Sequence, residues 1–447
     1  MSFVELKAAI SLTLVFVFRM LGLFMVLPVL ALFTEDLQGA SPATVGLAIG
    51  AYGFSQALLQ IPFGWMSDRW GRKPVILMGL FIFLVGSLVA AEATSMTDII
   101  IGRILQGCGA ISGAVTALMA DLTREQNRTK AMAMIGMGIG VAFGIAMVVG
   151  PMVSNAWGLS GLFISNGMMS VVAMLIVLFV VPTPVVKRRD LNSSVDRSGL
   201  RQVFTDRQLL RHVSGIFTLH FVLMALFVFI PGLLSHDYAQ STHGSIYLAV
   251  IGGSFVLMVP MIIFSEKQRR IKQCYSLSIV MLFMAFALIS QGELNSIWLL
   301  AGLFLFFFGF NFLEATLPSL VSKISPAGTR GTVMGVYSTS QFLGAALGGS
   351  IGGLSLEAGG LAGALVVCTI PTALWWWLSV TMKQPPYVST MVVALHSELD
   401  EMGTVSERLA CIAGVQEVTV LPAEKTAYLK VDKQLLDLSS LREFGHC

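Results

Sequence analysis

Four ionisable side chains interrupt long apolar runs: Arg19, Arg103, His220 and Glu314. Charge inside a membrane-length run is expensive and usually marks function. Arg19 lies about 15 Å into the first run at about 1.5 Å per residue, near a bilayer midplane. Glu314 follows Phe310-Asn311-Phe312-Leu313, well inside its run, and His220 occupies the matching part of another. Arg103 sits nearer the outer end of its run, with Gln106 one turn on. A carboxylate buried like Glu314 must be protonated or paired, so it is the candidate for taking up and releasing a proton. Arginine keeps its proton in proteins; the role open to Arg103 is to tune a carboxylate and pair with it in one conformation. His220 is read either as part of this set or as a hydrogen-bonded core imidazole.

A second cluster lies between two runs: Gly64-Trp65-Met66-Ser67-Asp68-Arg69-Trp70-Gly71-Arg72-Lys73. It reads as a tight basic turn in which Gly64 and Gly71 permit close approach and positive φ. Arg69, Arg72 and Lys73 place it on the cytoplasmic side. Asp68 is an acid among bases. It can reach the positive dipole end of the helix that starts near Arg330-Gly331, while Arg72 pairs with Asp121. Together these contacts would latch the cytoplasmic side shut.

The elements that must position these residues are membrane helices. Hydrophobic residues make up 55% of the chain and charged ones 12%, about half the share in a soluble domain. The net charge of +3 reflects topology and points to no nucleic acid. Cys108, Cys274, Cys368, Cys411 and Cys447 include no CxxC pair, so neither a disulfide framework nor a metal site is expected. The first run has no small-residue cleavage site and reads as a crossing, not a removed signal peptide. Twelve spans are predicted, near 9–33, 43–66, 74–94, 97–121, 131–154, 160–182, 211–235, 245–264, 274–291, 295–321, 331–355 and 361–382. Lys and Arg fall in alternate loops, and the opposite loops carry Glu35, Asp36, Asp237, Glu293 and Glu357 with no base. Both termini are therefore expected in the cytoplasm.

The halves repeat. Pro62 corresponds to Pro260, Asp68 to Glu266, Arg69 to Lys267, Arg72 to Arg270, Gly109 to Gly309 and Arg128 to Arg330. The second copy of the turn has lost both glycines. The expected fold is an all-α membrane protein of two six-helix bundles, 1–182 and 211–383, joined by a cytoplasmic linker 183–210.

After Lys383 the composition changes. Gln384-Pro385-Pro386 is a stiff linker, and residues 388–447 are much richer in charge. A strand at 389–395, a helix at 404–413 ended by Gly414, strands at 415–421 and 426–431 and a helix at 435–444 are predicted. This order resembles a ferredoxin-like domain of the heavy-metal-associated type. It has His396-Ser397-Glu398 where that family carries its metal-binding CxxC, and it stops where a final strand should come. Metal binding is not carried over, and Cys411 is read as packing inside its helix.

The order G-x-x-x-D-R-x-G-R-K resembles the loop 2–3 signature of the major facilitator superfamily. Arg103-Ile104-Leu105-Gln106-Gly107 is similar to that family's R-x-x-Q-G pattern, which is associated with proton transfer. Leu21-Gly22 and Pro28-Val29 resemble the first-helix motif of its drug:proton antiporters. Gly138, Gly140, Gly144 and Gly150-Pro151 resemble the antiporter motif of the fifth helix, where glycines permit close packing and a bend; Ser154 and Asn155 depart from it. The resemblance implies that the first, fourth, seventh and tenth helices line a central cavity holding Arg19, Arg103, His220 and Glu314. It also implies a secondary active transporter: proton-coupled export of lipophilic small molecules from a bacterial inner membrane, by alternating access. Phe24, Phe217, Phe221 and Phe310 would give the cavity an aromatic lining. The expected partners are a small-molecule substrate, protons and the bilayer, with no cofactor beyond the proton gradient, no enzymatic activity and a monomeric state. The alternative is a membrane ligand sensor that signals through residues 388–447.

Overall fold

The computed structural model describes residues 1–33, 37–183, 203–292, 295–325, 330–385, 389–395, 402–421, 426–432, 435–437, 440–441 and 445–446. Expectations for Glu35, Asp36, Glu293, most of the linker, His396-Ser397-Glu398 and the turn at 422–425 lie outside them.

The helices are α1 (Phe3–Phe24), α2 (Pro42–Trp70), α3 (Arg72–Ala91), α4 (Met96–Cys108), α5 (Ser112–Leu122), α6 (Glu125–Phe179), α7 (Arg207–Asp237), α8 (Gln240–Lys267), α9 (Ile271–Ile289), α10 (Ser296–Ile324), α11 (Arg330–Val380) and α12 (Met402–Ala410). Among the described residues ten helical segments are long and apolar enough to cross a membrane, α4 and α5 counting as one. Their starts are written in the sequence. Ser2, Ser41 and Ser95 each close a capping box with the residue three positions on, and Asp206 and Asn295 accept from the first turns of α7 and α10.

Several boundaries differ from expectation because capping, not hydropathy, sets where a helix begins. α1 starts at Phe3, since the Glu5 carboxylate closes its N-terminus and also accepts from the Arg124 backbone N–H at 2.8 Å. α7 starts at Arg207, inside the predicted linker. The span expected at 97–121 is two helices, α4 and α5, parted at Gly109-Ala110. α6 and α11 run 55 and 51 residues, and each leaves helical geometry at one glycine, Gly158 (φ 67) and Gly360 (φ 59).

One apolar core runs through all the membrane helices, and a separate small core, with Val393, Val405, Leu409 and Leu429, fills the C-terminal unit. That unit is a four-stranded sheet in the order β2-β3-β1-β4: β1 (Ser389–Leu395), β2 (Val415–Leu421), β3 (Thr426–Val431) and β4 (Gly445–His446). The missing last strand is present after all. β4 pairs antiparallel with β1 at Ala394 and Leu395, too short to show as a periodic pattern. Leu435–Asp437, expected to be helical, are not. Leu435 and Asp437 instead donate backbone N–H bonds to the carbonyls of Asp432 and Ala413. Cys411 lies one residue beyond α12 and is exposed, so it does not pack as expected.

Candidate functional site

The ten-residue stretch is a hinge more than a loop. α2 runs through Trp70, Gly71 turns the chain at φ 100, and α3 begins at Arg72. Only Gly71 needs a glycine conformation. Gly64 is helical, and a Cβ there would meet nothing within 4 Å. Arg72 collects the corner: it bonds Asp68, donates from Nη1 to Ser67 Oγ at 2.8 Å, and donates from Nε to Asp121 at 3.2 Å. The expected Arg72–Asp121 pair is therefore present. Arg69 stacks over Trp65 at 4.0 Å, and Lys73 donates to the Val181 carbonyl at 2.6 Å. Among the described residues no bond joins Asp68 to α11.

The reason lies in how α2 meets α11. On one face of α2, Gly46, Gly50 and Gly53 press against α11: a Cβ on Gly46 would sit 2.2 Å from the Gly349 carbonyl oxygen, and one on Gly50 would sit 2.3 Å from that of Ala346. Gly353 of α11 returns the contact against the Pro42 carbonyl at 2.3 Å. Continued by helical steps of three and four, the same faces reach Gly64 on α2 and Gly335 on α11. Neither meets anything within 4 Å. The helices touch at the Ser41 end and part at the Asp68 end. Glu357 closes the touching end by accepting from Ser41 Oγ at 2.7 Å and from the Ala43 backbone N–H at 3.0 Å. Sequence reading missed Gly46, Gly50, Gly53 and Gly335 and placed Glu357 only as a loop acid, whereas it lies within α11; the small residues spaced three and four apart on α2 were the available signal.

Deeper in, Phe143 of α6 gathers rings from both halves. Phe24 of α1 lies at 5.1 Å, Phe307 and Phe310 of α10 at 6.0 and 6.2 Å, and Phe227 of α7 at 6.5 Å. One turn beyond Phe310 on α10 sits Glu314, with 31% of its side chain exposed. Its Oε2 is 3.8 Å from His220 Nδ1. The Gln341 amide donates to Glu314 Oε1 at 3.3 Å and lies 2.8 Å from His220 Nε2. Gln341, on α11, was not foreseen. Asn311 turns away from this group and donates to Ser254 Oγ at 2.9 Å, which ties α10 to α8.

Arg19 and Arg103 do not join Glu314. Both are buried in the first half, and both lie over the ring of Tyr52. Arg19 donates to Gln56 Oε1, and Arg103 Nη1 donates to Gln106 Oε1 at 2.9 Å. Gln106 in turn donates to Ser87 Oγ at 2.9 Å. Among the described residues no ion pair joins either arginine to a carboxylate, so the expected pairing is absent in this conformation. Gly150 does pack closely, its Cβ position 2.6 Å from the Met25 carbonyl oxygen, and Pro151 lies one residue on within α6. Gly144, expected to pack likewise, faces open space.

The C-terminal unit touches the second half through charge. The Asp432 carboxylate accepts both bonds from Arg269 Nη2, at 2.6 and 2.7 Å, and Lys430 donates to the Ser325 carbonyl at 3.0 Å. Arg269 occupies the repeat position of Gly71 and is the one non-glycine residue with positive φ, 53°, among the described residues.

A helical membrane chain with two repeated halves closed at one end and parted at the other has the form of an alternating carrier. Residues 12–349 match the family model of the Major Facilitator Superfamily, and the chain belongs to that family. It is 42% identical over 432 residues to the inner membrane transport protein YajR of Escherichia coli (strain K12), covering 96% of this chain and 95% of that protein. It is 25% identical over 356 residues to multidrug resistance protein 2 of Bacillus subtilis (strain 168), covering 75% and 86%. Among solved structures, the nucleoside transporter NupG superposes with a TM-score of 0.65 at 19% identity, over 85% of this chain and 98% of that one. The chain is a transporter of this superfamily, its family and homologues being transporters, with YajR-type resemblance along its whole length.

Proposed function

We propose that this protein is a proton-coupled exporter of lipophilic small molecules working by alternating access. α6 and α11 each cross the bilayer twice, turning at Gly158 and Gly360, so the chain makes twelve crossings in two six-helix bundles, 1–182 and 211–383. The basic corners face the cytoplasm, as do both termini and the ferredoxin-like domain 388–447, and the protein is a monomer of the bacterial inner membrane with no cofactor. On this reading the conformation is inward-open, with the Ser41 end closed toward the outside.

The observation that carries the reading is Glu314. It is a carboxylate one turn beyond Phe310, bonded to the Gln341 amide and close to a histidine. A proton there cancels its charge, and loss of the proton calls for protonated His220 or water. The bundles can thus favour different protonation states, which is the requirement for coupling. Export of lipophilic compounds rests on the aromatic surroundings and on the multidrug resistance relative.

The sensor reading draws on one observation, the docking of the C-terminal unit at Arg269. Proteoliposomes separate the two. Glu314→Gln is expected to fold and to catalyse exchange of a lipophilic dye across the bilayer, but to lose uptake driven by a pH gradient. Normal pH-driven uptake by that variant removes Glu314 as the coupling site. Absence of any dye flux in the native protein, with binding retained, favours the sensor.

A further inference from the structure

Arg19 and Arg103 leave a charge unaccounted for. Arg19 is 2% exposed and Arg103 0%. Their guanidinium carbons lie 5.8 and 4.8 Å from the centroid of the same ring, Tyr52, and Arg19 lies 5.6 Å from Phe83. Their hydrogen-bond acceptors are neutral: Gln56 for Arg19, and Gln106 with the Ala48 carbonyl for Arg103. Four buried polar atoms around the ring have no partner: Arg19 Nε and Nη1, Arg103 Nη2 and the Tyr52 hydroxyl. Water could satisfy the N–H groups but not the two positive charges. Rings contribute only modestly to a buried cation, and an unbalanced buried charge is strongly unfavourable.

Rearrangement within the family's cycle does not supply the missing anion. In alternating access each bundle moves largely as a body, and α1, α2, α3 and α4 enclose this site on all the sides that carry the arginines, Tyr52, Phe83 and Ser87. Among the described residues the arginines meet only neutral acceptors, so a countercharge from outside the chain fits this site.

We propose that Arg19, Arg103 and Tyr52 form a binding site for a small monovalent anion, a halide or a carboxylate of formate size. The donors left over are those an anion needs: three guanidinium nitrogens on two cations, and one hydroxyl. Access is polar. Gln56 Nε2 lies 3.3 Å from both Gln60 Oε1 and Ser112 Oγ. Gln60 is half-buried and precedes by one turn Gly64, whose Cβ position opens on empty space. A strip of amides therefore leads from the parted end to the arginines. The site is independent of proton coupling at Glu314.

The full-length protein in lipid nanodiscs tests this by thermal unfolding in chloride, bromide, formate and gluconate salts at equal ionic strength. Chloride and bromide, or formate, are expected to raise the midpoint saturably over gluconate, and the comparison tells halide from carboxylate. Crystals grown in bromide should show an anomalous peak between Arg19 and Arg103. Arg19→Gln and Arg103→Gln should each abolish the anion-dependent shift. If either fails to fold, Tyr52→Phe keeps the ring and removes one donor, and should weaken the anion about tenfold. Identical melting in all four salts, with no bromide peak at the arginines, overturns the proposal. So does an anion effect that survives Arg19→Gln and Tyr52→Phe unchanged.

Discussion

The glycine faces of α2 and α11 make the alternation measurable with one methyl group. In this conformation a Cβ on Gly46 would lie 2.2 Å from the Gly349 carbonyl oxygen and 2.7 Å from the Gly353 Cα. Both are backbone atoms in a helix and cannot swing aside. An ordinary contact needs at least about 3.4 Å, so the helices must part by roughly 1 Å at their touching end. Overpacking of this kind costs about 1–3 kcal/mol. On the proposed alternation that end opens in the other conformation and the methyl meets nothing there, so the whole cost falls on the state seen here. Gly46→Ala should therefore shift the equilibrium about 5- to 150-fold toward the outward-open form. Gly64→Ala is the control of opposite sign: its Cβ is free here, and on the proposed alternation it is crowded when the Asp68 end closes. Spin labels at Leu47 and Leu354, both exposed, in a background without native cysteines would report the gap by pulsed dipolar spectroscopy. A longer distance in Gly46→Ala and an unchanged or shorter one in Gly64→Ala are expected. Equal distributions in the two variants, both folded, would refute the role assigned to these faces.

Two further perturbations follow from the corner and the docking contact. Asp68→Asn keeps the shape but removes the charge that could meet the α11 terminus, a loss of up to about 2 kcal/mol for the outward-open state; greater labelling of cysteines on the cytoplasmic ends of the fourth and tenth crossings is expected, with lower transport at equal expression. Arg72→Ala breaks bonds to Asp68 and Asp121 that are already made within the first half in this conformation, so it should not by itself favour the inward-open state in the same labelling. Asp432→Ala leaves Arg269 without its bidentate partner and should release the C-terminal unit, read as faster proteolysis between Lys383 and β1, with transport retained at an altered rate. Complete loss of transport in an undocked but stable variant would make that unit part of the transport machinery.

Much of the fold was legible because crossing a bilayer imposes length and hydropathy together, and because loop charge repeats with the crossings. What escaped notice was mostly local and polar. Ser2 and Glu5 start α1 before the apolar run does, and Asp206 starts α7 inside the linker. β4 has two residues, too few for any periodicity. At the site, the sequence singled out Glu314, His220, Arg19 and Arg103 by the rarity of charge. It could not assign them to neighbours. The structure separates them into a carboxylate–histidine group in the second half and an arginine pair in the first. Gln341 was invisible because a single amide in an apolar helix has no distinguishing pattern. The latch illustrates another limit: Arg72 and Asp121 meet inside one half and are found together, whereas Asp68 and α11 belong to different halves and depend on the conformation.

The bend at Arg269 carries a historical implication. Its counterpart in the first half is Gly71, and the backbone keeps the same sign of φ at both positions although the residue changed. Arginine in that region costs about 1 kcal/mol or more compared with glycine, and a bidentate carboxylate offsets it only while the C-terminal unit is present. The strained arginine and the appended unit should thus have been acquired, and should be lost, together. Relatives that end at the last crossing are expected to carry glycine or asparagine at this bend, so that a single position in the membrane part records whether a chain ever carried the extra domain.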